Sequence, residues 1–387
     1  MDIMAKKKLF TVISRIIENL DISKSQYETA KDRYNAIGNW LAKGEYCLTN
    51  GSRICLKNGE IYPQGSIKLG TTVKPIGQEE FDVDLVFFTP NILPTDIEPK
   101  ELNRLIGNRL REHNVYKNML SPLKRGWRIT YADEFHLDIT PSINNHTEKN
   151  NSEFVPDRKN QDWKPSNPKD YAQWFDKSAQ LMPNFYYSQR SDILIAKTEH
   201  QVTDFPEQNH IKPLLKIYVQ ILKRHRDIMF KDKKHKPISI IITTLATHAY
   251  NWCIKNKEYN NEIDLLIDVI KMMPKFIQGY QGNYQILNPT TQFENFAERW
   301  NEVPSKKQAF DNWHKNILSF FTSIEQLSGQ HIIFRKLEEG FGRDNVEKIY
   351  AEATNNIEDS RKNGLLNLGT GSIAKDIPVK KNTFFGK

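Results

Sequence analysis

A chain of 387 residues has room for two domains or one elaborated globule, and with 38% hydrophobic and 11% aromatic residues it is too apolar to stay disordered. A mean hydropathy of −0.64, with no apolar run near the ~18 residues of a membrane span, excludes a membrane-helix bundle. A net charge of +8 and a pI near 9.0 suit an acidic partner such as nucleotide phosphate or nucleic acid.

No signal peptide is expected at the N-terminus, where apolar residues fall at helical spacing over 9–20 and a second helix follows over 25–41. Asn50-Gly51 and Asn58-Gly59 bracket a short apolar run and predict a hairpin. Ile61-Tyr62 leads into Gln64-Gly65-Ser66, and Phe81 to Phe88 reads as a central strand. A helix over 99–114 precedes strands over 127–131 and 134–139, with Pro141 stopping the second. Residues 144–168 are polar and proline-bearing, and read as one long loop. A helix over 171–181 follows. Beyond 210 the pattern is helical throughout: 211–230, 239–255, 263–271, 293–301, 307–329 and 332–341. The three cysteines, Cys47, Cys55 and Cys253, form no Cys-x-x-Cys pair, which argues against zinc or a disulfide framework and fits a reducing cytoplasm. This gives an α+β chain: a mixed lobe over 1–205, a helical lobe over 206–370 and a flexible tail over 371–387.

Asp82 and Asp84 interrupt an apolar strand. Residues i and i+2 of a strand project from one face, roughly 6.5–7 Å apart, so both carboxylates point the same way while Val83 and Leu85 face the core. Two like charges on a central strand need a neutralising cation, and hard oxygen ligands suit Mg2+ or Mn2+. Asp138, in another apolar strand, is the best third ligand; Asp133 sits in a turn-like context and ranks below it. Three carboxylates can hold two ions, and Asp138 can also take the proton of an attacking hydroxyl. The alternative is a half-exposed edge strand whose aspartates meet only water.

Gly65 lets the backbone approach a phosphate, and Ser66 placed as a helix N-cap would add a hydroxyl. No Walker A lysine follows. In the helical half, Lys216 and Lys223 lie seven positions apart on one face with Gln220 between them, opposite a stripe of Leu214, Leu215, Tyr218 and Leu222. That face is either phosphate-binding or simply solvated. Ser239 follows Pro237 as an N-cap or a ligand contact. Asn167 can read a base edge or cap the turn before Pro168.

Gln64-Gly65-Ser66, Asp82-Val83-Asp84 and the later Asp138 together resemble the DNA-polymerase-beta nucleotidyltransferase superfamily. The text around them is similar to the bacterial CD-NTases, relatives of cyclic GMP-AMP synthase and oligoadenylate synthase. It includes Phe135-His136-Leu137-Asp138, Trp163-Lys164-Pro165-Ser166-Asn167-Pro168, Leu222-Lys223-Arg224-His225-Arg226-Asp227, Lys236-Pro237-Ile238-Ser239 and Leu287-Asn288-Pro289.

The resemblance spans about 60–370 and implies a small mixed sheet with flanking helices, a helical second lobe and an NTP cleft between them. It implies templateless joining of NTPs, ATP among them, into a cyclic di- or trinucleotide that activates a separate effector in anti-phage defence. It implies two Mg2+ ions (or Mn2+) on Asp82, Asp84 and Asp138. Gln64, Gly65 and Ser66 would meet the donor NTP, Lys223 and Ser239 its triphosphate, with Lys216 beside them and Asn288 near the base. A monomer without membrane attachment is expected. Phe384-Phe385 in the tail suggests a docking element for a regulatory partner, and Lys387 follows Gly386 where some relatives end in a conjugated glycine. Two other functions use the same residues: RNA 3′-end nucleotidyl transfer, and nucleotide sensing without turnover.

Overall fold

The computed structural model describes residues 1–47, 53–56, 58–77, 80–131, 135–157, 162–186, 212–362, 367–368 and 377–378. Helix α1 (Ile3–Glu18) starts where the Asp2 side chain accepts from the Ala5 amide. Helix α2 (Lys24–Leu41) starts at a capping box formed by Ser23 and Gln26. Strands β1 (Glu45–Cys47) and β2 (Arg53–Cys55) pair antiparallel, forming the expected hairpin, though its Asn50-Gly51 turn lies outside the described residues. So do Asp133, the expected lobe boundary at 205 and the tail from Asn382 to Lys387.

The main sheet is mixed. Its order is β3 (Glu60–Pro63), β4 (Phe81–Thr89), β7 (Phe135–Asn144), β6 (Trp127–Tyr131), β5 (Leu120–Pro122). Only β4 and β7 run parallel; the crossover between them carries α4 (Pro99–Glu112), β5 and β6. Strand β7 runs through Pro141 instead of stopping there. The proline falls after the β6 pairing ends at Ile139 and before the pairing with β8 (Glu153–Asp157) begins at Ile143, so no ladder bond is lost on that side. The expected loop over 144–168 is largely a hairpin of β8 (Glu153–Asp157) and β9 (Asp162–Ser166). Pro156 and Pro165 lie in these outer strands, where a missing amide costs little.

Two hydrophobic cores organise the chain. One packs α2 and α4 on the sheet through Ile37, Leu85, Phe87, Ile106 and Leu137. The other centres on α6 (Leu214–Met229), α7 (Ser239–Asn256), α8 (Glu262–Met272) and α10 (Pro304–Ile324). Helices α1 and α5 (Pro168–Ala179), assigned by sequence to the first lobe, put Ile13, Ile16, Tyr171 and Phe175 into this second core. Helix α6 has no solvated face of the kind expected: Gln220, Lys223, Arg224 and Arg226 are as buried as Leu215 and Leu222.

The expected helix over 293–301 is only α9 (Glu298–Glu302): Phe293 holds a left-handed φ of 63°, and residues 294–296 bond back to 286–288 in a turn instead of continuing a helix. After α11 (Gln330–Phe341), a further helix, α12 (Arg343–Lys362), follows Gly342; the sequence reading did not assign it. No described helix is long and apolar enough to cross a membrane.

Candidate active site

Strand β4 buries Phe81, Val83 and Leu85 and turns Asp82 and Asp84 to the other face. The parallel register sets Asp84 directly beside Asp138 of β7, and the antiparallel register sets Asp138 beside Arg128 of β6. Three carboxylates from two strands therefore share one patch. Arg128 reaches across it. Its Nε donates to Asp138 Oδ1 at 2.6 Å, and its Nη2 to Asp138 Oδ2 at 2.7 Å and Asp82 Oδ1 at 2.9 Å. Asp84 receives no such donor among the described residues. Burial, with Asp138 and Asp82 close by, pushes its carboxyl up to about 7.

The turn above this patch has a specific shape. The Gln64 amide donates to the Asp84 carbonyl at 2.8 Å, which brings β3 back over β4. Gly65 then takes φ +61°, and an added Cβ would stand 2.4 Å from Asp84 Oδ2. Only glycine satisfies both conditions. The short helix α3 (Gly65–Leu69) that follows has Gln64 as its N-cap, so Ser66 lies in the first turn rather than at the cap position expected.

Helix α6 closes the opposite wall. Lys223 donates from Nζ to the Thr71 carbonyl at 3.1 Å and Thr71 Oγ1 at 3.0 Å. Gln220 donates to the Thr72 carbonyl at 2.6 Å, tying the helical core to the turn below α3. Burial pushes Lys223 down to about 7, and the neighbouring Arg226 adds to this. Ser239 opens α7 without capping it (the cap is Ile238) and its Oγ accepts from Arg226 Nη1 at 2.8 Å. Between the walls lies a cavity of about 430 Å³ lined by Gly65, Ser66, Thr72, Glu80, Asp82, Asp84, Lys223, Arg226, Asp227, Lys231, Lys236 and Ser239.

The remaining residues predicted from sequence fall elsewhere. Lys216 is bound to Asp176 at 2.8 Å and does not line the cavity. Gln64 contributes its backbone to the turn, and its side chain caps nothing. Asn167 is buried as the N-cap of α5, accepting from the Asp170 amide, and donates to the Thr290 carbonyl at 3.1 Å. Asn288 accepts from the amide and hydroxyl of Thr290 and donates to Glu294 Oε2 at 2.7 Å. Both asparagines thus belong to a polar seam joining the loop after β7 to the 288–292 loop. Ser152–Thr291 and Glu148–Thr291 contacts extend that seam. The seam lies outside the cavity: of the two roles open to Asn167 the structure has the cap, and neither Asn167 nor Asn288 lines the cavity.

Sequence reading missed Arg128, Asp227, Lys231 and Lys236. Two signals were available: Arg128 alternates with buried Trp127 and Ile129, and Asp227 follows Lys223 by one helical turn.

The seam also yields a stability prediction. Burial pushes partly buried Glu294 up to about 7, and its Asn288 partner offsets only part of that. A carboxyl raised in the folded state favours folding while protonated, and that stability is lost as pH climbs from about 4.5 through 7. Glu294→Gln should therefore unfold at a higher temperature than the parent at pH 8, by the equivalent of roughly 1–2 kcal/mol. The gap should close near pH 5 in a thermal melt.

Can this site hold a divalent cation? The donors are hard carboxylate oxygens, and a guanidinium already bridges two of them as a cation would. As placed, with Arg128 between them, the side chains do not converge: among the described residues no group of three or more His, Cys, Asp or Glu forms a ready metal cage. The donor chemistry fits; the rotamers correspond to the arginine-bound arrangement.

Residues 4–178 match the model of the second messenger oligonucleotide or dinucleotide synthetase domain. Over 398 aligned residues the chain is 29% identical to a c-di-GMP synthase of Roseivirga ehrenbergii, covering 99% of this chain and 98% of the relative. It is also 25% identical to the cyclic dinucleotide synthase CdnG of Bradyrhizobium diazoefficiens, over 76% of this chain and 70% of that protein. The solved CdnG–GTP structure superposes with a TM-score of 0.65 at 20% identity, covering 90% of this chain and 99% of CdnG. E. coli CdnC in complex with a HORMA protein superposes at 0.59 and 13% identity, over 86% and 96% of the two chains. The expected polymerase-beta-like fold, a small mixed sheet with a helical lobe, is the fold observed.

Proposed function

We propose that this chain is a CD-NTase that joins two NTPs, GTP among them, into a cyclic dinucleotide second messenger. The observation that carries this reading is the pairing of Asp84 with Asp138 under the Gly65 turn, with Asp82 and Asp84 facing Lys223 and Ser239 across one cavity. Asp82, Asp84 and Asp138 would hold two Mg2+ ions, or Mn2+, once Arg128 moves aside. When bound, the ions would lower the pKa of the attacking hydroxyl and neutralise the departing pyrophosphate.

The protein's own groups do the rest. The Gly65 backbone comes close enough to meet a donor phosphate, and Ser66 adds a hydroxyl donor. Lys223, Lys231 and Lys236 offset the triphosphate charge from the opposite wall. Bringing triphosphate near Lys223 restores its ammonium form against the burial that lowers it. Asp138, once released by Arg128, would take the proton from the acceptor ribose hydroxyl, whose oxygen then bonds to the donor α-phosphorus as pyrophosphate leaves. A second round within the linear product closes the ring. The proposed setting is cytoplasmic anti-phage signalling through a separate effector. A protein partner is proposed by analogy with the HORMA-bound relative.

The test is incubation of the purified protein with the four NTPs, Mg2+ or Mn2+ and a labelled RNA, followed by mass spectrometry. A phosphatase-resistant cyclic product containing guanosine is expected. Lengthened RNA with no cyclic product would replace this reading with 3′-end transfer.

A further inference from the structure

Arg128 was placed by no motif, yet it makes the strongest polar contacts in the site. Its fork engages both oxygens of Asp138 and one of Asp82, at 2.6, 2.7 and 2.9 Å. Bidentate guanidinium–carboxylate pairs are short, directional and about twice as strong as neutral hydrogen bonds. The contact is built into the sheet: Arg128 stands opposite Asp138 in the β6–β7 register, and its side chain is only 28% exposed.

A guanidinium using both oxygens of Asp138 occupies one lone pair of each and puts its positive charge where a metal cation bound to Asp138 and Asp82 would sit. The same charge that makes the three carboxylates tolerable without metal therefore obstructs their use as ligands. We propose that Arg128 is a resident counter-ion that a divalent cation must displace from Asp138 and Asp82, so that it sets the metal affinity of the nucleotide-free protein. The inference rests on the metal-site reading above.

Its consequences differ from those of a merely structural arginine. Removing Arg128 removes a competitor, so metal should bind more tightly to the nucleotide-free protein. It also takes away the cation closest to the three carboxylates, so the metal-free protein should lose stability that metal restores.

The test measures Mn2+ binding by the electron paramagnetic resonance signal of free Mn2+, without nucleotide, for the parent, Arg128→Gln and Asp84→Asn. Arg128→Gln should bind Mn2+ more tightly by on the order of ten- to a hundredfold, the worth of one charged hydrogen-bonded partner. Its melting temperature should fall in EDTA and recover with Mn2+ by more than the parent's does. Unchanged or weaker Mn2+ binding by folded Arg128→Gln overturns the proposal.

Asp84→Asn separates the two levels. If it binds Mn2+ as the parent does, the metal-site reading itself fails. If it loses Mn2+ while Arg128→Gln matches the parent, only the role of Arg128 fails. Should Arg128→Gln not fold, the parent still answers. With Mg2+, the side-chain Nε–H resonance of Arg128 in an arginine-labelled sample should lose its hydrogen-bonded shift and exchange faster. A resonance that does not move with saturating Mg2+ overturns the proposal.

Discussion

Asp84→Asn should abolish nucleotide joining and at the same time make the protein more stable. The carboxylate is the most crowded of the three. It lies beneath the Gly65 turn, paired with Asp138, near Asp82, with no hydrogen-bond donor of its own among the described residues. Burial and those two neighbours push it up to about 7, so near neutral pH the fold bears part of the cost of an uncompensated charge. The sign follows from linkage. A carboxyl raised in the folded state supports folding while it is protonated, and that support is lost as pH rises through about 7. An amide of the same shape escapes the loss. Thermal unfolding in EDTA at pH 8 should favour Asp84→Asn by the equivalent of ~1–3 kcal/mol, shrinking toward pH 5. Product formation should drop at least about a thousandfold, since a metal ligand supplies several kcal/mol of transition-state stabilisation. A variant that is less stable than the parent at pH 8, or that still makes product, would remove Asp84 from the centre of the site.

Such opposition between stability and function explains why part of the site was legible in the sequence. Charges inside an apolar strand break the local pattern, so Asp82, Asp84 and Asp138 stood out against Val83, Leu85 and Ile139. Gly65 stood out for the same reason, as a residue chosen for backbone shape. What the sequence hid depends on register. Arg128 reads as an ordinary polar residue of an alternating strand until the β6–β7 pairing places it opposite Asp138. Asn167 and Asn288 look like base-reading amides in isolation; only the meeting of the 288–292 loop with the loop after β7 and the start of α5 shows the hydrogen bonds they already make. Lys223 was legible as a position but not as a state, because burial of polar residues around α6 runs against its periodicity. Among the strands, β8 and β9 were hidden by their prolines, which an outer hairpin tolerates.

Gly65→Ala should damage catalysis far more than it damages the fold, and Gly70→Ala provides the comparison. Both glycines hold left-handed backbone, at φ +61° and +63°, so each alanine costs about 1–2 kcal/mol of stability from conformation alone. Their surroundings differ. At Gly70 the new methyl meets Lys216 Nζ at 3.5 Å, an ordinary contact with the flexible end of a side chain. At Gly65 it would stand 2.4 Å from Asp84 Oδ2, so either the carboxylate or the turn must shift by roughly 1 Å to reach normal contact. A displacement of that size in a reacting group costs on the order of a hundredfold in rate. The two variants should therefore melt at similar temperatures while their rates of cyclic product formation diverge by about that factor. Equal rates would mean that the turn yields without disturbing Asp84. Comparable losses in both would place the requirement in the backbone of α3 rather than in the approach of Gly65 to the carboxylate.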